Sequence, residues 1–271
     1  MSVCQESLDA LRPSDHAVQF YGLDEQALAV NVSRYLSSGF QRGEGAVVIA
    51  RPAHLEAFKT GLDAAGHDTE GLVADGILQL FDAEQTLDRF MVGGQPDAAR
   101  FDSVIGTLIR AATVSSPGPR AYGEMVGLLW DRGHYPAAIR LEQLWHRLLS
   151  ENAFTLFCAY EIDLLSSDLE LGLLDALFRA HSHLLPSGTS TGLSAALELA
   201  MRDVLGSASE DVMREAATFS RRGWSRLPQT EALVLVLRKS LPGDARKILA
   251  RAKEYYLAYP PDSLRSSEAA M

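Results

Sequence analysis

The sequence contains few cysteines and lacks any long uninterrupted apolar run. Its two cysteines, Cys4 and Cys158, do not suggest a disulfide framework, and they fit a reducing compartment. No apolar run reaches the roughly 20 residues that a membrane-spanning helix needs. The N-terminus also lacks the basic region and apolar core of a secretory signal. These features predict a cytoplasmic protein without a membrane segment.

Basic residues are fewer than acidic ones in this chain. The 25 lysines and arginines stand against 35 aspartates and glutamates, which gives a formal net charge of -10. DNA and RNA are bound largely through positive charge that faces phosphates. The compact basic cluster at residues 220–226 is better explained as a solvated helix end. The charge balance therefore argues against nucleic acid as the partner, while a hydrophobic content of 47% is enough for a substantial core.

Residues 15–165 alternate between short apolar runs and helical patterns. The run AVVIA, which ends at Ala50, is typical of a strand buried on both faces. Strands are predicted at residues 16–21, 46–50, 77–81, 120–123 and 154–160, and helices at 24–36, 51–66, 83–92, 98–114, 125–130 and 139–149. Parallel strands need crossover connections such as helices. The pattern therefore predicts an α/β fold with a mostly parallel sheet flanked by helices.

Beyond Ile162 the pattern becomes helical, and no further strand is predicted. Helices are predicted at residues 169–180, 193–205, 210–221, 230–240 and 242–259. The run EALVLVLRKSL contains β-branched valines, but its leucines and the flanking helices favour a buried helix. The predicted domains are a flexible lead over residues 1–14, an α/β domain over 15–185, a helical domain over 190–262 and a disordered tail over 263–271.

Several segments within the α/β region resemble one known family. They are HAVQFY at 16–21, GEGAVVIARPAH at 43–54, ILQLFDA followed by LDRFM, YGEMVGLLW at 122–130, LEQLW at 141–145 and FCAY at 157–160. In order and spacing these segments resemble the MEDS domain, the methanogen and methylotroph sensory domain named for the dichloromethane-responsive regulator DcmR. The segment HSHLLP at 181–186 resembles the tail that follows this domain in signalling proteins of the family.

The resemblance implies a degenerate version of the RecA/KaiC-like ATPase fold in which nucleotide hydrolysis has been lost. The chain supports that loss independently. A phosphate-binding loop needs several glycines, a lysine and a serine or threonine. The segment after the first strand is YGLDEQ, which has one glycine, no lysine and two carboxylates that would repel a triphosphate. We therefore expect no ATPase activity and no bound cofactor.

The carboxyl ends of the predicted strands supply the candidate ligand site, because ligands bind there in open α/β sheets. Glu124 is the first candidate, since it follows the fourth strand directly; the alternative is a helix cap or a salt bridge to Arg51 or Arg120. Trp130 is a candidate wall for an apolar ligand, although core packing is the commoner role of such aromatics. Further candidates, individually ordinary loop residues, are Tyr21, Asp24, Arg51, His54 and Asp82.

The sequence predicts neither a metal site nor a catalytic set. His181 and His183 have the separation of two ligands on an extended segment, but no cysteine or carboxylate lies at metal-site spacing, so both are predicted to be surface loop histidines. Cys158 lies within an apolar run and is predicted to be a buried, inert thiol. The chain is therefore predicted not to be an enzyme.

Three functions follow from these observations, in order of preference. The first is a sensory or signalling protein whose α/β domain binds a small molecule or a signalling protein and whose C-terminal helices relay the state, with self-association through those helices as a further expectation. The second is a transcription regulator with a helix-turn-helix in the C-terminal helices, against which the acidity counts. The third is a residual nucleotide-binding protein, against which the missing lysine counts.

Overall fold

The computed structural model describes residues 8, 11–116, 118–166, 169, 172, 177–178, 180–186, 190–219 and 228–258. Most of the predicted lead and most of the predicted helix at 169–180 lie outside the described residues. The basic cluster at 220–226 and the predicted tail at 263–271 lie wholly outside them.

The chain divides into two compact units. The first contains the residues up to Gln19, then Leu28–Glu161 and Ala180–Ser182. The second contains Phe20–Ala27, the described residues of 162–179 and those from His183 onward. The domain boundaries drawn from the sequence stay a prediction.

Parallel strands form the sheet, as the sequence predicts. The strands are β1 (His16–Phe20), β2 (Ala46–Ala50), β3 (Leu78–Asp82), β4 (Met91–Val92), β5 (Gln95–Pro96), β6 (Arg120–Gly123), β7 (Thr155–Tyr160) and β8 (His183–Leu185). Six of them form one sheet in the order β3-β2-β6-β7-β1-β8. Strand β2 pairs in parallel with β3 and β6, and β6 pairs in parallel with β7. The α/β prediction with a mostly parallel sheet is therefore confirmed.

Two predictions about secondary structure, one of a strand-free region and one of a helix, are wrong. No strand was expected beyond Ile162, but β8 is the last strand of the sheet. Its three residues, HLL, are too few to produce a periodic signal. The helix predicted over residues 83–92 ends at Asp88, and β4 and β5 then form an antiparallel hairpin. Gly93 and Gly94 turn that hairpin with φ values of 56° and 77°, a conformation that glycine adopts without steric cost.

Helices connect the strands of the α/β region. They are α1 (Glu25–Phe40), α2 (Pro52–Ala64), α3 (Thr69–Ala74), α4 (Ala83–Asp88), α5 (Ala98–Phe101), α6 (Thr107–Ser115), α7 (Met125–Asp131) and α8 (Tyr135–Glu151). A π-helical segment, Asp102–Gly106, joins α5 to α6, so the single helix predicted over 98–114 changes its hydrogen-bond register within its length. Gly127 lets α7 approach β7 closely, because a Cβ atom there would lie 2.7 Å from the carbonyl oxygen of Ala159.

The C-terminal helices form the core of the second unit. They are α9 (Ser190–Leu205), α10 (Ser209–Phe219), α11 (Gln229–Ser240) and α12 (Pro242–Ala258). The segment EALVLVLRKSL is helical as predicted, and it buries Leu233, Val234, Val236 and Leu237 in a shared apolar cluster with residues of α9, α10 and α12. Within the described part of the chain, no helix has both the length and the apolar character needed to cross a membrane.

Candidate functional site

Glu124 follows β6 and lies in a buried hydrogen-bond network. Its carboxylate is only 1% exposed. Oε1 accepts a hydrogen bond from the Tyr122 hydroxyl at 2.6 Å and lies 2.6 Å from Nδ1 of His54. Oε2 accepts from the backbone N–H of Arg51 at 2.9 Å. The ends of β2 and β6 are thus linked through one carboxylate, which is engaged on both of its oxygens.

The side chain of Arg51 extends from the same network to the solvent. Its guanidinium donates to Glu161 Oε2 at 2.6 Å and to a carboxylate oxygen of Asp131. The exposed fraction is 26% for the Arg51 side chain, 51% for Glu161 and 30% for Asp131. We call Arg51, Asp131 and Glu161 the rim. The rim therefore offers one cation and two carboxylates to the solvent directly beside the buried network.

The observed contacts of Glu124 differ from the helix cap and the salt bridges that were its predicted alternatives. Its side chain makes no capping hydrogen bond to α7. It binds Arg51 through the backbone N–H, while the Arg51 guanidinium contacts the other two rim residues. Arg120 instead donates from Nε to Glu44 at 2.7 Å and from a guanidinium nitrogen to the carbonyl of Tyr35 at 2.8 Å. The predicted cap and the predicted salt bridge to Arg120 are therefore wrong.

Electrostatics at the rim are unfavourable to any negative charge beyond its two carboxylates. Burial raises the pKa of Asp131 above its ordinary value, and the attraction of the Arg51 guanidinium only partly offsets this effect. The nearby carboxylates of Glu161 and Glu124 also raise it. One arginine thus faces more negative charge than it neutralises, so the rim is a poor site for a polyanionic ligand.

The remaining predicted site residues do not join this network. Asp82 caps α4 by accepting from the backbone N–H of Gln85 at 2.8 Å. Trp130 is 8% exposed and packs against the rings of Tyr135 and Tyr160. It therefore has the core-packing role that the sequence analysis gave as the commoner one for such aromatics. Of the residues predicted for the site, the structure brings together Arg51, His54 and Glu124.

Tyr21 and Asp24 belong to the second unit. Tyr21 is buried, with 3% of its surface exposed. Asp24 precedes α1 and accepts from the backbone N–H of Ala27 at 2.8 Å, so its side chain is the N-cap of that helix. A carboxylate therefore occupies one of the amide donors that a phosphate group would use at this helix start.

A second polar cluster in the first unit was not predicted. His16, Glu142, Cys158 and His181 are each no more than 5% exposed, and the Tyr160 hydroxyl donates a hydrogen bond to Glu142. The prediction that His181 lies on the surface is wrong, because the segment that carries it pairs with β1: the Ser182 N–H donates to the His16 carbonyl at 2.8 Å. Cys158 is buried as predicted.

His16, Glu142 and Cys158 all have strongly shifted pKa values. Burial, together with the neighbouring His181, lowers the pKa of His16 to about 3, so its imidazole is neutral at pH 7. Burial alone would raise the pKa of Glu142, but His181, His16 and Tyr160 outweigh it and the pKa falls to about 2. Burial raises the pKa of the Cys158 thiol. The cluster thus holds an ionised carboxylate beside a neutral imidazole.

One signal in the sequence pointed to this cluster. Glu142 lies on the buried stripe of α8, three residues before Trp145, where an apolar side chain is expected. A buried carboxylate requires polar partners, but its partners come from distant parts of the chain. Spacing rules for metal and catalytic motifs apply to neighbouring residues, so they could not identify them.

A cavity of about 440 Å³ lies at the amino ends of β2 and β3. Its lining includes Glu44, Gly45, Ile77 and Ser116. It therefore lies away from the carboxyl strand ends at which the site was predicted.

A mostly parallel sheet flanked by helices, with a polar network at the carboxyl ends of its strands, defines an α/β domain. A family model described as MEDS, MEthanogen/methylotroph, DcmR Sensory domain, matches residues 15–182. Because this match covers more than half of the 271 residues, the chain belongs to the MEDS family. The comparison with curated proteins gave no match. Membership of a sensory domain family is consistent with a sensory or signalling role.

Proposed function

We propose that this protein is a non-catalytic sensor in which the first unit binds a small-molecule ligand or a protein partner at the rim, and the C-terminal helices relay the bound state. The observation that carries the proposal is the double engagement of Arg51. Its backbone N–H is bound by buried Glu124, and its guanidinium is bound by two exposed carboxylates.

This arrangement makes Arg51 a suitable point for ligand recognition. Its backbone is fixed by the buried network, so the side chain starts from a defined position. Its ion pairs with Asp131 and Glu161 are partly exposed, and pairs of this kind contribute only about 0–1 kcal/mol each. A ligand group can therefore replace one of these carboxylates at small cost.

The chain itself supports a relay from the rim. Glu161 ends the main segment of the first unit, and the next residue, Ile162, belongs to the second unit. Within that second unit, Asp163 accepts from Lys253 of α12 at 2.6 Å. Arg238 of α11 donates to the carbonyl oxygen of Leu164 at 3.0 Å. A change in the position of Glu161 would thus act on a segment that is bonded directly to two C-terminal helices.

The absence of nucleotide hydrolysis is part of the proposal, as is the relation to the RecA/KaiC-like fold. The segment YGLDEQ lacks the lysine of a phosphate-binding loop, and Asp24 already uses the amide of Ala27. We expect no ATP turnover above background. ATP hydrolysis that disappears in a Glu124→Gln variant would contradict a non-catalytic role.

Thermal unfolding of the full chain tests ligand binding at the rim. The panel contains Mg-ATP, other nucleotides, one-carbon compounds and small apolar compounds, because any ligand of the native state raises the unfolding midpoint. We expect a small compound to raise the midpoint of the wild type and not that of Arg51→Gln. Arg110→Gln is the matched control, because Arg110 also forms an exposed ion pair, with Asp102. A shift that survives in Arg51→Gln would place the ligand elsewhere.

Amide hydrogen exchange tests the relay with the same compound. A relay predicts changed exchange rates in α11 and α12 as well as at the strand ends of the first unit. The Lys253→Gln variant should reduce the change in α12 while ligand binding persists. Changes confined to the first unit would show that the helices do not report the bound state.

A further inference from the structure

Four metal-binding side chains converge in the interior of the first unit. The imidazole Nε2 of His16 lies 3.2 Å from Sγ of Cys158 and 3.6 Å from Oε2 of Glu142. The imidazole Nε2 of His181 lies 3.3 Å from Oε1 of the same carboxylate. One ligand atom from each of the four residues lies within 4.8 Å of the other three. All four residues belong to the first unit and none to the rim.

We propose that His16, Glu142, Cys158 and His181 bind one divalent transition-metal ion, with Zn²⁺ as the preferred ion. Zn²⁺ takes four ligands in a tetrahedron at about 2.0–2.3 Å, which separates neighbouring ligand atoms by about 3.3–3.8 Å. The separations of 3.6 and 3.3 Å lie within this range, and the separation of 3.2 Å lies just below it. The other pairs of ligand atoms lie within 4.8 Å of each other. Side-chain adjustments that shorten the longer separations would complete a tetrahedral zinc centre.

The donor set selects the class of metal. Two imidazole nitrogens and one thiolate are ligands that Zn²⁺ and its neighbours in the first transition series prefer. Mg²⁺ and Ca²⁺ require mainly oxygen ligands, and this cluster offers oxygen from one carboxylate. Four protein ligands leave no open position for water, so the ion has a structural role rather than a catalytic one.

The positions of the four ligands are fixed by the fold. His16 lies in β1, Glu142 in α8 and Cys158 in β7. His181 is held beside β1, because the His16 N–H donates to Ser182 Oγ at 2.8 Å and the Ser182 N–H donates to the His16 carbonyl at 2.8 Å. The imidazole rings of His16 and His181 consequently lie with their centres 4.1 Å apart and their planes tilted by 48°.

Glu142 gives a second, independent indication of a ligand. Its Oε2 atom is buried and has no hydrogen-bond partner among the described residues, although it points towards His16. A buried carboxylate oxygen without a hydrogen bond is costly unless a cation satisfies it. The other oxygen accepts from the Tyr160 hydroxyl, as an outer-sphere group does when it orients a metal ligand.

Titration of the wild-type full chain, stripped of metal, decides the proposal without relying on any variant. Co²⁺ is the probe, because a thiolate ligand gives it a sulfur-to-metal charge-transfer band and a tetrahedral site gives it intense visible bands. We expect both bands to saturate at one ion per chain, and we expect Zn²⁺ to remove them. A wild-type protein that develops neither band and retains no zinc after dialysis against the free ion would overturn the proposal.

Variants then assign the ligands. Cys158→Ser should abolish the charge-transfer band, and His181→Gln should abolish retention of zinc. Cys4→Ser and His134→Gln are the matched controls; the first removes the other cysteine of the chain and the second an exposed histidine. Tyr160→Phe should keep the site but weaken zinc binding about 10–100-fold. A band of unchanged strength in Cys158→Ser would show that the metal binds at other residues.

Discussion

Replacement of Glu124 by alanine is the sharpest test of the buried network. The substitution removes the acceptor for the Tyr122 hydroxyl, the Arg51 backbone N–H and the His54 imidazole. Each buried donor left without an acceptor costs about 1–3 kcal/mol. Because water can enter the space left by the side chain and satisfy some of the three donors, we expect the free energy of unfolding to fall by about 3–5 kcal/mol rather than by the full sum.

The control for this substitution is Glu161→Ala at the rim. Glu161 is 51% exposed, and its ion pair with Arg51 is worth at most about 1 kcal/mol. Both substitutions remove a glutamate side chain that contacts Arg51, but only the side chain of Glu124 is buried. The expected difference between them is therefore at least about 2 kcal/mol.

The assay is urea unfolding followed by tryptophan fluorescence in a Trp224→Phe background. The chain has three tryptophans, and the remaining two, Trp130 and Trp145, both lie in the first unit. The signal therefore reports on the unit that contains Glu124. If Glu124→Ala costs no more than Glu161→Ala, the hydrogen bonds of Glu124 do not stabilise the fold.

Three further substitutions test separate parts of the structure. Gly127→Ala should destabilise the first unit by about 1–3 kcal/mol, because its Cβ would lie 2.7 Å from the Ala159 carbonyl oxygen; equal urea midpoints would contradict close packing of α7 on β7. Asp24→Ala should cost about 0.5–2 kcal/mol through loss of the α1 cap, and Asp24→Asn should restore most of it in thermal unfolding. The raised pKa of Asp131 means that its ionisation opposes folding, so stability is lost as pH rises through that pKa. Asp131→Asn should therefore gain stability relative to the wild type as pH rises above roughly 4, and a relative loss in urea midpoints across that range would refute this sign.

The strands and helices could be predicted because each has a local pattern. Continuous apolar runs such as residues 46–50 identify strands buried on both faces, and the periodic leucines of α8 identify a helix with one apolar face. The hairpin at 91–96 and the strand β8 have too few residues for such a pattern. Their formation depends on the neighbouring backbone, which a sequence window does not contain.

The candidate site could be predicted only through the rule that open α/β sheets bind ligands at the carboxyl ends of their strands. Ligand-site residues were predicted at the carboxyl ends of strands, and three of them, Arg51, His54 and Glu124, lie in contact there. Their role in ligand binding stays a prediction. The rule gave no indication of which atoms would be paired, since the Arg51 backbone and guanidinium bind different carboxylates. The cluster of His16, Glu142, Cys158 and His181 could not be predicted, because its members come together only through sheet pairing and helix packing.

Strand β7 explains why the first unit contains both a closed and an open polar cluster. Successive side chains of a strand point to opposite faces, so Cys158 and Tyr160 share the face that packs on Glu142 of α8. Glu161 follows at the strand end, beyond the packed face, and reaches the solvent and Arg51. The same strand therefore supplies buried donors, whose geometry is rigid, and an exposed carboxylate, whose ion pair can be exchanged. The proposed metal site and the proposed ligand site need these two different environments, and one strand and the residue after it supply both.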